Sequence, residues 1–232
     1  MAHAYGRSSL ATDCVPFVDV RVVLFTVSDG RIWIALEDLP FGKTLPRGRL
    51  LPDESLDATA TRIVAHQLGI EERYLEQLYS LSQGLESGWT VSVTYLGLAL
   101  AGIGGPPPIS AAWFNAGTLP RMDPVDLRIV EYALLRLRAK LGYTTIAFHL
   151  LQPSFTLSEL QHVYEAVLDR TLDKRNFRRR IQAAEILEPT GDTRRDGSHR
   201  PARLYRFRAA HDAETYLTPA WATTAEREAI GT

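Results

Sequence analysis

The sequence predicts an α+β chain in two parts, a layered sheet domain followed by a basic helical domain. Three observations predict it. Up to about residue 115, stretches rich in β-branched and aromatic residues, bounded by Gly and Pro, surround one short amphipathic helix. From Asp126 onward apolar residues recur at spacings of three and four, the period of a helix face. From Lys174 to Arg208 the chain carries eleven basic residues against four acidic ones, although its formal net charge is only -1. A local excess of that kind predicts a nucleic-acid surface.

Composition sets the limits. A chain of 232 residues with 45% hydrophobic and 23% charged residues suits one large or two modest globular domains. Cys14 is the single cysteine, which excludes an intrachain disulfide or a cysteine metal site and predicts a reducing compartment. No apolar stretch has the length of a signal-peptide core or the roughly 20 residues of a membrane span. The expected location is therefore the cytoplasm, with no membrane partner.

Residues 1–14 carry no periodicity and read as a flexible N-terminus. Phe17 to Val27 and Arg31 to Leu36 read as strands, joined by Asp29-Gly30, a hairpin signal. Leu39 to Leu51 holds Pro40, Gly42, Pro46 and Gly48, too many breakers for regular structure, and reads as a loop. A helix follows from about Ser55 to Leu68, burying Leu56, Ala60, Ile63, Val64 and Leu68, and Gly69 ends it. Leu75 to Gln83, Thr90 to Ala101 and Ala111 to Phe114 give three more strands, the last two separated by a Gly/Pro loop over Gly102 to Pro108. This order fits an α/β/α sandwich. The next helix places Leu127, Val130, Ala133, Leu134, Leu137 and Leu141 on one face and stops at Gly142, where the domain boundary is placed. The sheet domain accordingly spans 15–142, the second domain 143–210 and a C-terminal tail 211–232.

In the second domain, Thr156-Leu-Ser-Glu159 is a capping-box pattern opening a helix, and Asp173 is an N-cap for a basic helix running to about Ile186. Turn residues around Arg194, Arg195 and Arg200 then lead to an alternating strand with Leu204, Tyr205 and Phe207. Two short helices, a basic third and such a hairpin make a winged helix-turn-helix. Phe177, Ile181 and Ala184 mark the inward face of the basic helix. Lys174, Arg175, Asn176, Arg178, Arg179 and Gln182 are left to meet the major groove, where Arg reads guanine and Asn or Gln reads adenine by paired hydrogen bonds. Arg194, Arg195, Arg200 and Arg203 on the wing are expected to contact phosphates or a minor groove, positioning the protein without reading much sequence.

The helix after Gly48 carries a second pattern. Gly48, Glu54 six positions on, Arg62 eight further and Gly69-Ile70 resemble the signature of the Nudix family, Gly-x5-Glu-x7-Arg-Glu-apolar-x-Glu-Glu-x-Gly-apolar. In that family the acids after the Arg share a helix face and hold divalent metal against a diphosphate. Here those positions are Ile63, His66 and Gln67, and Glu54 is the acid that remains. The expectation is a Nudix shape without hydrolysis, with no catalytic residues, no resident metal and no cofactor. The open alternative is a Nudix pyrophosphatase acting on ADP-ribose-like nucleotide diphosphates with other carboxylates, such as Asp53, Glu54, Asp57, Glu71 or Glu72.

With Phe155-Thr156-Leu157-x-Glu159-Leu160-Gln161, Leu172-Asp173-Lys174-Arg175-Asn176-Phe177-Arg178-Arg179 and Arg200-Pro201-Ala202-x-Leu204-Tyr205, residues 15 to 208 resemble the Nudix-related transcriptional regulators of bacteria, the NrtR type. The resemblance implies a nucleoid-associated homodimeric repressor. Its winged helices would bind a palindromic operator in double-stranded DNA, with recognition helices about one helical turn, ~34 Å, apart. Its Nudix-like domain would sense a small-molecule effector, ADP-ribose or another product of NAD metabolism, or a sugar phosphate. The sequence departs from the pattern at Leu45-Pro46-Arg47-Gly48, where the family has Leu-Pro-Gly-Gly, and at Met122-Asp123-Pro124, where Phe-Asp-His is usual. Arg47 and Arg49 are candidates to clamp a diphosphate by charge. Glu54, Trp89 and Trp113 complete the candidate ligand set, while an Arg62–Glu54 brace and an aromatic core are the competing structural roles. A regulator that takes no small ligand, with the Nudix shape kept only as a dimerisation module, is the third reading.

Overall fold

The computed structural model describes residues 17–40, 42–70, 72–85, 88–100, 111–195 and 201–208. The expected flexible N-terminus with Cys14, the Gly/Pro loop 102–108, the tail 211–232, and the candidates Glu71 and Arg200 all lie outside them.

β1 (Phe17–Ser28) is the axis of the first domain. It turns at Asp29 and Gly30, both at positive φ, into β2 (Arg31–Leu39), as the Asp-Gly pair requires of a two-residue hairpin. β2 pairs with β1 only over Phe25–Ser28 and leaves the earlier half of β1 open on that side. Two short strands occupy this region, β3 (Gly42–Thr44) on β2 and β4 (Arg47–Arg49) on Asp19–Arg21 of β1. The expectation of a structureless loop over Leu39 to Leu51 is corrected here. Pro46 falls between the short strands, where its missing N–H costs nothing, and its carbonyl accepts a hydrogen bond from Val22 N at 2.9 Å. β5 (Tyr74–Leu85), β6 (Gly88–Leu98) and β7 (Ala111–Asn115) complete one seven-stranded mixed sheet, ordered β3-β2-β1-β6-β5 with β7 also on β2.

Each face of the sheet is covered by a helix. α1 (Leu56–Ile63) is capped by Ser55 and runs on as one π-helical turn, Val64–Leu68, before Gly69 closes it at φ 60. Ala60, Ile63, Val64 and Leu68 pack here against Val20, Val22, Leu24 and Tyr95. On the opposite face α2 (Pro124–Leu141) sets Ile129, Val130, Ala133 and Leu137 against Phe25, Ile34 and Leu96. Each fully buried Val, Ile, Leu or Phe side chain among these contributes about 1.5–3 kcal/mol. Of the expected face of α2, Val130, Ala133, Leu137 and Leu141 are buried and Leu134 is half-buried, but Leu127 is exposed, whereas Asp126 and Lys140 are buried. Both buried charges have partners. Lys140 Nζ donates to the Tyr74 hydroxyl at 2.6 Å and pairs with Glu76, and Asp126 is held by Arg21. Gly142 ends the helix in right-handed geometry, so its conformational freedom is not what stops the chain.

A 3-10 turn, Ile146–Leu150, leads into α3 (Leu157–Leu168) and α4 (Lys174–Ala183). The Thr156–Glu159 capping box forms in both directions, at 2.7 and 3.1 Å, and the Asp173 carboxylate accepts from Asn176 N at 2.7 Å. α4 ends at Ala183, short of the expected Ile186, and Glu185 just beyond its cap takes φ 53. The wing has two strands, β8 (Leu187–Arg194), which spans residues expected to be turn, and β9 (Ala202–Phe207). One apolar cluster runs without a break from Phe25 and Ile34 through α2 to Leu160, Phe177 and Ile181.

Candidate functional site

The Nudix-like box is held together by its own residues. Glu54 Oε1 accepts from Arg62 Nε at 2.7 Å, and Oε2 accepts from Arg62 Nη2 and Thr59 Oγ1, each at 2.8 Å, and from Leu51 N at 3.4 Å. Hydrogen bonding from Arg62, reinforced by Thr59, holds this carboxyl down to about 2. Arg62 Nη2 also donates to Arg49 O at 3.0 Å, so the pair fastens β4 and the following loop to α1. Both oxygens of Glu54 are committed inside the fold, which is the structural role weighed above. Ile63 is fully buried and packs beneath Gly48, where an added Cβ would lie 3.3 Å from Ile63 Cγ1. Gln67 Nε2 donates to Arg47 O at 3.0 Å, and His66 is exposed.

The candidate ligand residues are only partly brought together. Arg47 and Arg49 flank Gly48 on β4, both exposed, and the Arg49 guanidinium lies 4.1 Å from the centre of the Phe17 ring. Trp113 is half-buried on β7 opposite Ala35, in the α1-side core. Trp89 is 60% exposed near the start of β6. β7 and β6 are separated by β2 and β1, about 14 Å across the sheet at ~4.8 Å per strand, so the two tryptophans do not face one small pocket. Glu37, which the sequence reading passed over, joins the Arg47 side. Burial raises its carboxyl above the usual range while the charge of Arg47 opposes the rise. Its place in the Leu36-Glu37-Asp38 run gave no signal, because an acid at the end of a strand is ordinarily a solvated one.

Beneath this region lies a buried polar knot that sequence reasoning also missed. Asp126 Oδ1 accepts from Arg21 Nη1 at 2.6 Å, while Oδ2 accepts from Thr44 Oγ1 at 2.7 Å and Leu45 N at 3.1 Å. Arg21 Nε is 3.3 Å from Asp19, whose other oxygen accepts from Ser92. Burial opposes the Arg21 charge, but Asp126 and Asp19 outweigh it and hold the guanidinium above its ordinary value. The first turn of α2 is thereby tied to the segment that enters β4.

The second cluster is on α4. Lys174, Arg175, Arg179 and Gln182 are exposed and share an open groove with Asn176 and Arg178, while Phe177 and Ile181 anchor the opposite side. Arg179 Nη2 donates to Asn176 Oδ1 at 2.9 Å, a one-turn contact that orders both side chains. Arg178 is half-buried and its Nη2 donates to Ser158 Oγ at 3.1 Å, tying α4 to α3. On the wing, Arg195 and Arg203 are exposed, and Arg194 is paired with the capping-box residue Glu159.

A Nudix-like sheet domain followed by a winged helix with a basic recognition helix defines a class, that of DNA-binding regulators built on a Nudix scaffold. Residues 147–207 match the model of the NrtR DNA-binding winged helix domain. The chain is 32% identical over 206 residues to the ADPR responsive transcriptional repressor NtrR of Acinetobacter baylyi, with 83% of this chain and 82% of that protein covered. It is similar to the crystal structure of Shewanella oneidensis NrtR complexed with a 27mer DNA, with a TM-score of 0.73 and 30% identity over 82% of this chain and 93% of that one. A MutT/nudix family protein from Enterococcus faecalis shares the fold at a TM-score of 0.66 and 20% identity, with 87% and 90% of the two chains covered. The chain belongs to the NrtR family of transcriptional regulators. Among the described residues no helix is long and apolar enough to cross a membrane.

Proposed function

We propose that this protein is a cytoplasmic repressor that binds a palindromic operator as a homodimer, and that its Nudix-like domain takes ADP-ribose without hydrolysing it. The observation that carries the reading is α4, whose basic residues stand exposed on one side while Phe177 and Ile181 lock the other into the core. Arg175, Asn176, Arg179 and Gln182 read base edges; Lys174, Arg195 and Arg203 meet phosphates; Arg178 and Arg194 brace the domain. Arg200, outside the described residues, is assigned to the wing's phosphate contacts from sequence. The domain boundary is placed at Gly142.

ADP-ribose is favoured because the relative from Acinetobacter is named as responsive to it. Arg47 and Arg49 are the groups that meet its diphosphate. Loss of hydrolysis is supported by the box chemistry: Glu54 is the box's one acid, both its oxygens already accept hydrogen bonds, from Arg62, Thr59 and Leu51, and Ile63 is buried apolar surface. A single carboxylate engaged in this way makes a poor magnesium site. The signal travels through α2, which is tied to β4's entry at one end and to α3 at the other, where Arg138 Nε donates to Val167 O at 2.9 Å.

The test is operator binding by the full chain at fixed salt, titrated with ADP-ribose and with AMP, together with product analysis in magnesium. ADP-ribose should shift operator affinity at least fivefold, the low end of allosteric coupling, with AMP inert and no AMP released. Magnesium-dependent AMP release that disappears in Glu54→Gln would establish the pyrophosphatase instead, and an unchanged operator affinity would favour a scaffold without an effector.

A further inference from the structure

Both strands of the wing are fastened to the first turn of α3. Phe155, the residue before the Thr156 cap, exchanges two backbone hydrogen bonds with Tyr205 of β9, Phe155 N to Tyr205 O at 2.9 Å and Tyr205 N to Phe155 O at 2.8 Å. On β8, Arg194 Nη2 donates to Glu159 Oε2, the same oxygen that accepts from Thr156 N at 2.7 Å in the capping box. One carboxylate therefore closes the start of the helix and holds an arginine of the wing. An exposed ion pair ordinarily gains little, because two long side chains must be ordered to make it. Here Thr156 N already orders the carboxylate, so most of the freedom lost is that of Arg194.

This turn borders the DNA-facing side of α4. Arg178, which lines that groove beside Lys174, Arg175 and Arg179, donates to Ser158 Oγ at 3.1 Å, one residue from Glu159. Arg194 thus belongs to the wing of a DNA-binding domain, but its charge is matched within the protein. Affinity for the DNA backbone comes from cations that neutralise phosphates and release their counterions. A guanidinium already neutralised by a carboxylate releases few.

We propose that Glu159 is a positioning residue that withholds Arg194 from the DNA backbone and leaves the wing's phosphate contacts to the exposed Arg195 and Arg203. A phosphate contact strengthens binding to every sequence alike, whereas α4 reads base edges. Withholding one cation therefore lowers the affinity for arbitrary DNA and leaves the discrimination between sequences unchanged. Glutamine in place of Glu159 separates the two tasks of this side chain, because a glutamine at the third helical position still closes a capping box but has no charge with which to hold Arg194. The role of Glu159 rests on the wing contacts proposed above and is independent of the effector.

Fluorescence anisotropy of a labelled mixed-sequence DNA duplex, titrated with the full chain over a range of salt concentrations, tests it. Glu159→Gln should bind more tightly at low salt, and its slope of log affinity against log salt should steepen by about 0.9, the counterion release of one added phosphate contact. The gain should accordingly shrink about 3.5-fold between about 50 and about 200 mM salt, because a fourfold rise in salt acts on that difference in slope. Glu159→Gln combined with Arg194→Ala should return to the parent slope. Asp192→Asn, which removes an equal charge from β8 without releasing Arg194, should leave the slope where it was. The proposal is overturned if Glu159→Gln leaves the slope unchanged, if its gain survives in the double variant, or if Asp192→Asn steepens the slope as much. A parent chain that binds no DNA would overturn the wing contacts as well, whereas a parent that binds, with an unaltered slope in Glu159→Gln, overturns the role of Glu159 alone.

Discussion

Asp126 is the side chain whose removal the structure predicts most sharply. Its carboxylate is 1% exposed and accepts from Arg21, Thr44 Oγ1 and Leu45 N. In Asp126→Ala, Arg21 stays buried with only Asp19 as an acidic neighbour, at 3.3 Å, and Leu45 N loses its acceptor. Stranding one member of a buried ion pair costs about 3–5 kcal/mol, a large share of the roughly 5–15 kcal/mol that holds a typical domain. Asp126→Asn keeps an oxygen for Thr44 or Leu45 but loses the charge, and should cost about half as much. Urea unfolding followed by tryptophan fluorescence measures both, as the shift in midpoint multiplied by the slope. Arg21→Met combined with Asp126→Leu replaces charge by apolar volume, so the double variant should be more stable than the two single losses add up to, by about 1–3 kcal/mol. A loss below about 1 kcal/mol in Asp126→Ala, or single effects that add within about 0.5 kcal/mol, would refute the account of the knot as a coupled unit.

The remaining predictions concern the two ends of the molecule. Arg175→Ala and Arg179→Ala should each weaken operator binding by about 1–3 kcal/mol and relax sequence preference, whereas Lys174→Ala should weaken all sequences alike and lower the slope of log affinity against log salt by about 0.9; gel shifts at three salt concentrations separate the two patterns. Glu54 is held near 2 by Arg62 in the folded chain and returns to about 4.5 on unfolding. Its folded value is depressed, so its stabilisation is complete above about 4.5 and is lost as pH falls toward 2. The Tm difference between the parent and Glu54→Gln should therefore be flat above that window and close up below it, and a difference that persists unchanged at pH 2 would contradict the pairing.

Signals confined to a few consecutive residues were legible in the sequence. Asp29-Gly30 specifies its hairpin because both residues must adopt positive φ, and Gly69, the Thr156–Glu159 box and the Asp173 cap act within one helical turn. What escaped depends on partners far along the chain. β3 and β4 exist because β2 leaves half of β1 unpaired, which no window around Pro46 and Gly48 reveals. Asp126 and Lys140 are inside because Arg21 and Glu76 wait there, 105 and 64 residues away. The same distance problem affects the candidate sites. Arg178 and Arg194 share the composition of their exposed neighbours, but Ser158 and Glu159 on α3 engage them. Trp89 and Trp113 look equivalent as strand aromatics until the strand order sets them apart.

The arrangement of α2 explains how a sheet domain and a winged helix can share one mechanical element. An 18-residue helix rises about 27 Å at ~1.5 Å per residue, long enough to reach from the sheet to α3 as one rigid rod. Its middle is set in a close-packed core that yields little to small displacements, and each of its ends has a polar tie. At the N-terminal end, Leu45 N and Thr44 grip Asp126 immediately before Arg47-Gly48-Arg49, the segment assigned to the effector's diphosphate. A movement of that segment cannot be absorbed locally without breaking the Asp126 bonds, because Gly48 already rests against Ile63 and Gln67 holds the Arg47 carbonyl. Ile63 and Gln67, at two positions where the Nudix signature has acids, brace the backbone of β4 in this way and so stiffen the connection between Arg47-Gly48-Arg49 and α2.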